Sequence, residues 1–345
     1  MPKLSHAVTR DEVAREAKVS AATVSYVVNN GPRPVAPETR NKVLAAIQKL
    51  GYRPNAVARN LRMQHTSTIG LIIPDTYNPF FAEVARGVEQ IAFENNMTVV
   101  LCHSDYKLER ELQYIEVLQA ERAAGVIWFP ATNSTEPAMR VGNYGMPLVV
   151  LDRILAGVRA PFVLADNFLG GYLATKHLIE LGHHVIACIA RPMVLSHSSE
   201  RIRGYRQALI DHDIPYNEAL LINGGLRLED GRNAAFEILE HPLKPTAIFA
   251  YNDFMAIGAL RAVHEKSISI PGSISIVGFD DIPQAAFTFP ALTTVSQPKL
   301  EMGRQGAALL LDLMDGRTIS LKDNAPLPVK LVVRESTGTC SWGKA

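Results

Sequence analysis

The chain has 345 residues, 47% hydrophobic and 20% charged, which supplies cores for two to three domains and excludes a disordered chain. No apolar run approaches the ~18 residues of a membrane span, and Met1 to His6 hold no apolar segment of a secretory signal. The three cysteines, Cys102, Cys188 and Cys340, are too few and too scattered for a disulfide framework or a four-ligand zinc site. A soluble, cytoplasmic protein with no membrane partner is expected. The formal net charge of +1 is unevenly spread: residues 1–65 carry eleven Lys/Arg against four Asp/Glu, or +7, and the remainder carries −6. That asymmetry describes a polyanion-binding head on a body with a different task.

The head reads as short helices. Thr9 with Glu12 three residues on is a capping-box pattern, followed by Val13 and Ala17 at helical spacing. Ser20 caps a second helix through Val24, Val27 and Val28 to about Asn29, and Gly31-Pro32-Arg33-Pro34 breaks the chain. Pro37 suits the first turn of a third helix with Val43, Ile47 and Leu50 as its stripe, and Gly51 ends it. Tyr52-Arg53-Pro54 links to a fourth short helical stretch from Asn55 to about Arg62.

From Thr68 onward apolar strands alternate with amphipathic helices. Strands are expected at Ile69–Ile73, Thr98–Cys102, Gly125–Phe129 and Pro147–Leu151, with helices Phe80–Asn95, Leu108–Ala120 and Glu136–Asn143 between them. A second series has strands near Phe162–Ala165, Val185–Ile189, Ala219–Ile222, Ala247–Ala250 and Ile274–Phe279. Its helices lie near Leu169–Leu181, Glu200–Asp211, Asp230–Leu239 and Asp253–Glu265, and the tail adds a helix Lys299–Asp315 and a strand near Val329–Arg334. Such alternation implies parallel sheets covered on both faces, here as two similar α/β lobes.

The segment Val13 to Asn29 joins two helices by a tight turn, with Ala14 and Val19 near the joint. This is a helix-turn-helix, whose second helix enters the major groove N-terminal end first. The residues at that end, Ser20, Ala21, Ala22, Thr23, Ser25 and Tyr26, are small or hydroxylated, as close approach to bases and phosphates requires. A plain helical pair would show the same apolar spacing, but not the +7 charge.

These residues resemble the LacI/GalR family of transcriptional regulators. Its pattern V-A-x-x-A-x-V-S-x-x-T-V-S-x-V-x-N runs from Val13 to Asn29, and its later signature appears as Val35 to Arg40 and Leu50-Gly51-Tyr52-Arg53-Pro54-Asn55. In the body, Asn78-Pro79-Phe80-Phe81, Asp166-Asn167, Gly204-Tyr205, Asn252-Asp253, Gly278-Phe279-Asp280-Asp281 and Pro290 to Val295 match in order. The resemblance implies a helix-turn-helix head at 6–53, a hinge at 54–66 and a periplasmic-binding-protein-like body at 67–340. The first lobe spans about 67–162 with 296–325, the second about 163–295 with 326–340. It also implies a homodimer on a pseudo-palindromic double-stranded operator, acting as a repressor. The short end after Cys340 favours a dimer over a tetramer.

In the resemblance, Asn55, Ala56, Val57, Ala58, Arg59 and Leu61 belong to a hinge helix, with Leu61 as the minor-groove wedge; the plainer reading packs Leu61 inside a linker. About seven residues are too few for an isolated helix, so the hinge should order only against its symmetry mate and DNA. Ala21, Ala22 and Tyr26 fall on base-reading positions and Asn29 on the motif's last residue; alanine methyls can contact thymine methyls. Tyr26 stands where an arginine or another polar residue is often found.

The resemblance places a small effector between the lobes, at Phe80, Asp152, Arg201, Leu226, Asn252 and Asp280. Asp152, Asn252 and Asp280 each follow a strand, where α/β sheets bind ligands. Carboxylate, amide and guanidinium groups can pair adjacent hydroxyls, so a sugar is expected; any one of them could instead be a loop cap or a surface ion pair. A sugar phosphate stays open through Arg203 or Arg153, and a nucleobase is disfavoured because Leu226 replaces an aromatic. No nucleotide-binding, hydrolase or zinc-protease motif occurs, so no catalysis, cofactor or metal is expected. The alternative function is a free-standing carbohydrate receptor of the periplasmic type.

Overall fold

A computed structural model describes residues 8–28, 33–52, 66–191, 196–319 and 325–340. The chain divides into two compact units, Met1–His65 and Thr66–Ala345. In the first, helix α1 (Arg10–Ala17) starts at a complete Thr9–Glu12 capping box and stops at Lys18, whose left-handed φ of 53° turns the chain sharply. Helix α2 (Ala21–Val28) begins after Ser20, whose hydroxyl accepts the Thr23 N–H at 3.1 Å. Helix α3 (Pro37–Leu50) has proline in its first turn and ends at Gly51 in a left-handed conformation. Val13, Ala14, Ala17, Val24, Val27, Val43 and Ala46 form the core of this unit.

The second unit carries two sheets. Strands β1 (Thr68–Ile73), β2 (Thr98–His103), β3 (Gly125–Trp128), β4 (Leu148–Leu151) and β5 (Phe162–Val163) make the first, in the order β2-β1-β3-β4-β5. All its pairings are parallel. Between them run helices α4 (Pro79–Glu94), α5 (Leu108–Ala120) and α6 (Glu136–Asn143). The second sheet uses β6 (Ile186–Ala190), β7 (Leu221–Asn223), β8 (Ala247–Ala250), β9 (Ser275–Asp280), β10 (Thr293–Ser296) and β11 (Lys330–Val332). Their order is β11-β10-β9-β8-β6-β7, and only β10 with β11 is antiparallel. Helices α7 (Asn167–Glu180), α8 (Ser196–Asp211), α9 (Leu228–Glu240) and α10 (Asp253–Glu265) belong with it. Helix α11 (Lys299–Met314) returns to the first sheet and packs on α4, β3 and β4.

Two expectations need correction. The strand at Phe162 does not open the second series; it closes the first sheet, with Val150 opposite Phe162 and Leu151 opposite Val163. Pro161 explains the placement, since its carbonyl accepts the Val150 N–H at 2.9 Å and extends the first sheet by one short edge. Strand β10 escaped the sequence reading because its threonines look polar. Inside the fold Thr294 donates its hydroxyl to the Asp253 carboxylate at 2.5 Å, and Thr293 shares a hydroxyl contact with Thr337 at 3.0 Å.

Helices meet in three pairs through glycines so close that a Cβ would touch the opposite backbone. Gly87 and Gly303 join α4 to α11, Gly171 and Gly204 join α7 to α8, and Gly231 and Gly258 join α9 to α10. A Cβ on Gly303 would lie 2.1 Å from the Val84 carbonyl oxygen, an atom that cannot yield without moving α4. Gly303→Ala should therefore destabilise the body by about 1–3 kcal/mol, as overpacking of a fixed core does. The check is a chemical-denaturation midpoint below that of the wild type; an unchanged or higher midpoint would show that the helices separate freely.

Candidate nucleic-acid interface and ligand cleft

The head presents one face of α2 outward. Val24 and Val27 point into the core, Ser20 and Ala22 are exposed, and Ala21, Thr23, Ser25 and Tyr26 are half-buried. The structure thus brings these six residues together at the start of α2, beside the exposed Lys18 of the turn. The Ser20 hydroxyl also lies 2.9 Å from that of Thr23, so the cap holds both at the helix N-terminus, where backbone N–H groups and the helix dipole favour anions. Lys49 pairs with Glu16 at 2.7 Å on the surface, an interaction that leaves the basic character of the head intact. Asn29 and the hinge residues Asn55, Ala56, Val57, Ala58, Arg59 and Leu61 lie outside the described residues.

In the body, both sheets turn the C-terminal ends of their strands toward one cleft. From the first lobe come Asp75 after β1, Tyr106 after β2, and Asp152 and Arg153 after β4. From the second come Arg191 after β6, Tyr251 and Asn252 after β8, Asp280 at the end of β9 and Gln297 after β10. The lobes meet across it, with the Arg191 guanidinium 4.9 Å from the centre of the Tyr106 ring and Arg227 3.6 Å from Asp105.

Arg201 is the most constrained of these groups. It is 4% exposed, and its Nε donates to Asn167 Oδ1 at 2.7 Å while Nη1 donates to the Tyr251 carbonyl at 2.6 Å. Its guanidinium lies 3.7 Å from Asp280 Oδ1 and over the rings of Phe279 and Tyr251, at 3.7 and 4.4 Å. The α7–α8 glycine contact sets this position, because Gly171 touches the Arg201 backbone directly.

Burial pushes the Asp280 carboxyl up to about 6, against the pull of Arg201, Lys299 and a 2.7 Å hydrogen bond from Gln297, while Asp152 pushes it further up. Asp152 is raised by burial too, opposed by Arg201, Arg153 and Arg191. Burial holds Arg153 below the ordinary arginine range. Two buried polar atoms here, Arg153 Nε and Gln297 Oε1, have no hydrogen-bond partner among the described residues. Buried unsatisfied atoms are costly and call for an explanation.

Of the six expected cleft residues, Asp152, Arg201 and Asp280 stand in mutual electrostatic contact. Asn252 is buried, and its Oδ1 caps α10 by accepting the Met255 N–H at 2.8 Å, so the cap reading holds for that oxygen. Phe80 is buried in an edge-to-face cluster with Phe81 and Phe129 at 5.1 and 6.3 Å. Leu226 is half-buried and donates its N–H to Asp230, as part of the α9 entry. Arg203 is excluded from the cleft: it is exposed and pairs with Glu200 at 2.7 Å, because it sits two positions beyond Arg201 on the opposite side of α8. Sequence reading missed Asp75, Tyr106, Arg191, Tyr251 and Gln297. The first four follow expected strands, a signal that applied to each of them as it did to Asp152; Gln297 follows β10, a strand the sequence reading did not contain.

A helix-turn-helix head and a two-lobed body with converging strand ends define a DNA-binding regulator with an effector domain. Residues 9–55 match the bacterial regulatory proteins of the lacI family, and residues 175–337 match the periplasmic binding protein-like domain. The chain is 35% identical to catabolite control protein A of Priestia megaterium over 332 residues, covering 96% of this chain and 99% of that one. The fold is similar to the lac repressor dimer bound to operator and the anti-inducer ONPF, with TM-score 0.85, 29% identity, and 96% and 100% of the two chains covered. It is also similar to the CelR–cellobiose complex, with TM-score 0.72, 32% identity, and 95% and 99% covered. The chain belongs to the lacI family of transcriptional regulators. A free-standing carbohydrate receptor leaves the match at 9–55 unexplained.

Removing the Arg201 side chain strands two acceptors, Asn167 Oδ1 and the Tyr251 carbonyl, and takes the counter-charge from Asp280. Arg201→Ala should lower body stability by about 3–5 kcal/mol, the usual cost of breaking a buried ion pair from one side. Thermal unfolding of the variant checks this, and a melting temperature within a degree of wild type would contradict the shared role of the guanidinium.

Proposed function

We propose that the protein is a repressor that binds a pseudo-palindromic operator as a homodimer, and that a neutral sugar or sugar derivative in the cleft sets its operator affinity. The observation that carries the effector class is the charge balance of the cleft. Three guanidinium groups, Arg153, Arg191 and Arg201, face three carboxylates, Asp75, Asp152 and Asp280, and the Lys299 ammonium beside Asp280 is answered by Glu83 at 3.8 Å. A ligand of no net charge leaves that balance undisturbed, while its hydroxyls donate to the aspartates and accept from the arginines. Arg203 is turned away from the cleft and cannot serve a phosphorylated sugar, which would have to use Arg153 at the expense of its attraction to Asp152.

The similar CelR structure holds cellobiose, which supports a neutral carbohydrate here. The lac repressor structure is a dimer on operator, which supports the same assembly for this chain. Edge strand β2 adds to that support by leaving Val100 and Leu101 exposed, at 42% and 49%. The operator-reading residues are proposed to be Ser20, Ala21, Ala22, Thr23, Ser25 and Tyr26. The hinge positions Asn55 to Leu61 are proposed to couple the head to the body. An effector that favours one lobe arrangement then shifts operator affinity.

Two measurements test this reading. Operator binding by fluorescence anisotropy should give a log–log salt slope steeper than about −4, from several phosphate contacts in each of two heads; a nearly flat response would remove the electrostatic head. Sugar binding by calorimetry should weaken as pH falls through about 6, because protonation of Asp280 removes an acceptor. In the free protein the sign is opposite: Asp280 binds its proton more tightly when folded than unfolded, so its burial costs stability as pH rises from about 4 to 6. A sugar affinity constant between pH 5 and 8 would sink the proposed contact.

A further inference from the structure

The segment that carries the chain from the second lobe back to the first, Gln297-Pro298-Lys299, grips the Asp280 region from both sides. Gln297 Nε2 donates to the Asp280 carboxylate at 2.7 Å. Lys299, at the start of α11, turns its ammonium toward the backbone and donates to the carbonyls of Asp280 at 2.7 Å and Asp281 at 2.6 Å. Both of those residues hold left-handed backbone conformations, with φ of 117° and 54°, which non-glycine residues keep only where their surroundings hold them. Lys299 is 5% exposed, so its charge is satisfied within the protein or not at all.

The same ammonium lies 3.8 Å from Glu83 on α4. Helices α4 and α11 belong to the first lobe and touch backbone to backbone through Gly87 and Gly303, so they move as one piece. The Lys299 ammonium therefore joins two bodies: a rigid helix pair of the first lobe and a strained turn of the second.

We infer that Lys299 is a positioning residue that holds the Asp280 carboxylate in the cleft and ties it, through Glu83, to the α4–α11 pair of the opposite lobe. The functional consequence rests on the reading of Asp280 as an effector contact. A ligand that pulls on Asp280 then pulls on the helix pair, and the lobe arrangement follows the occupancy of the cleft. Nothing in the hydrophobic pattern of the tail required a lysine at this place. An apolar residue would fill the space beneath the turn and leave two carbonyls without donors.

The test uses the full chain with Lys299→Met and Glu83→Gln, read by two methods that need no ligand. The first is the titration of Asp280, followed by NMR with aspartate labelled at the side-chain carbon. Asp280 is faced by Arg201 from α8, Lys299 from α11, Asp152 from the end of β4, Asp253 from α10, Asp281 beside it, and the phenols of Tyr106 and Tyr251. Removing the Lys299 ammonium should move its midpoint upward from about 6, whereas a lysine that only filled space would be replaced by methionine with no change. Glu83→Gln should leave that midpoint in place. The second is hydrogen exchange by mass spectrometry. Peptides spanning 279–283 and the first two turns of α4 should exchange at least five-fold faster in Lys299→Met, and only the α4 peptide should do so in Glu83→Gln.

An Asp280 midpoint that stays put in Lys299→Met overturns the positioning role. Exchange in α4 that matches the wild type in Glu83→Gln overturns the tie, and that variant alone decides the outcome if Lys299→Met does not fold. Calorimetric titration of the wild type with cellobiose runs alongside. Failure to bind it would count against the sugar reading alone, since the exchange and NMR results judge Lys299 independently.

Discussion

The body is organised around the cost of burying charge. Arg201 sits 4% exposed with its guanidinium shared among an amide oxygen, a peptide carbonyl and the Asp280 carboxylate. Its flat faces lie against Phe279 and Tyr251. An arginine in such a place is stabilising only while every partner remains. The partners come from α7, β8 and β9, so the ion fixes the relative placement of three elements at the mouth of the second lobe. The close helix contacts at Gly171 and Gly204 make that placement possible by letting α8 reach α7.

The same cost explains why the cleft suits a regulator. Asp152 and Asp280 are both pushed toward their neutral forms by burial; Asp152 is pulled back by Arg201 and Arg191 of the other lobe and by its neighbour Arg153, and Asp280 by Arg201 of its own lobe and by Lys299. Separating the lobes would relieve the burial and weaken the pairing, so desolvation and ion pairing oppose each other in setting the balance between the two arrangements. Small ligands shift equilibria of that kind, since only the difference in affinity between states matters. The head is balanced in a similar way. Its core is seven small side chains, valines and alanines, and little apolar area is buried in it.

Much of this architecture was legible in the sequence where local signals were strong. The helix Asp253–Glu265 appears with its expected bounds because Asn252 caps it, and Leu108–Ala120 because apolar and polar residues alternate at helical period. The head was equally legible, since its capping box and its terminal glycine act within one turn of the chain. The two-residue β5 was misplaced because its pairing depends on Val150, which is distant in sequence, and β10 was hidden by threonines whose partners are elsewhere in the fold. In the cleft, Asp152 and Asp280 came forward through the resemblance and their positions after strands, and Arg201 through the resemblance alone. Gln297 and Lys299 did not, because their roles arise from where a lobe crossing passes and no local pattern records that. Arg153 and Arg203 looked interchangeable in sequence; the rotation of α8 separates them.

The central claim is that the cleft and the operator are two sites of one equilibrium. Linkage makes that claim quantitative: the factor by which a bound sugar changes operator affinity must equal the factor by which operator DNA changes sugar affinity. The direct measurement is sugar affinity by calorimetry on the whole 345-residue chain, with and without saturating DNA from beside its own gene, paired with operator affinity with and without saturating sugar. Two equal factors, both different from one, are the predicted result. A sugar that binds the cleft and leaves operator affinity unchanged would contradict it.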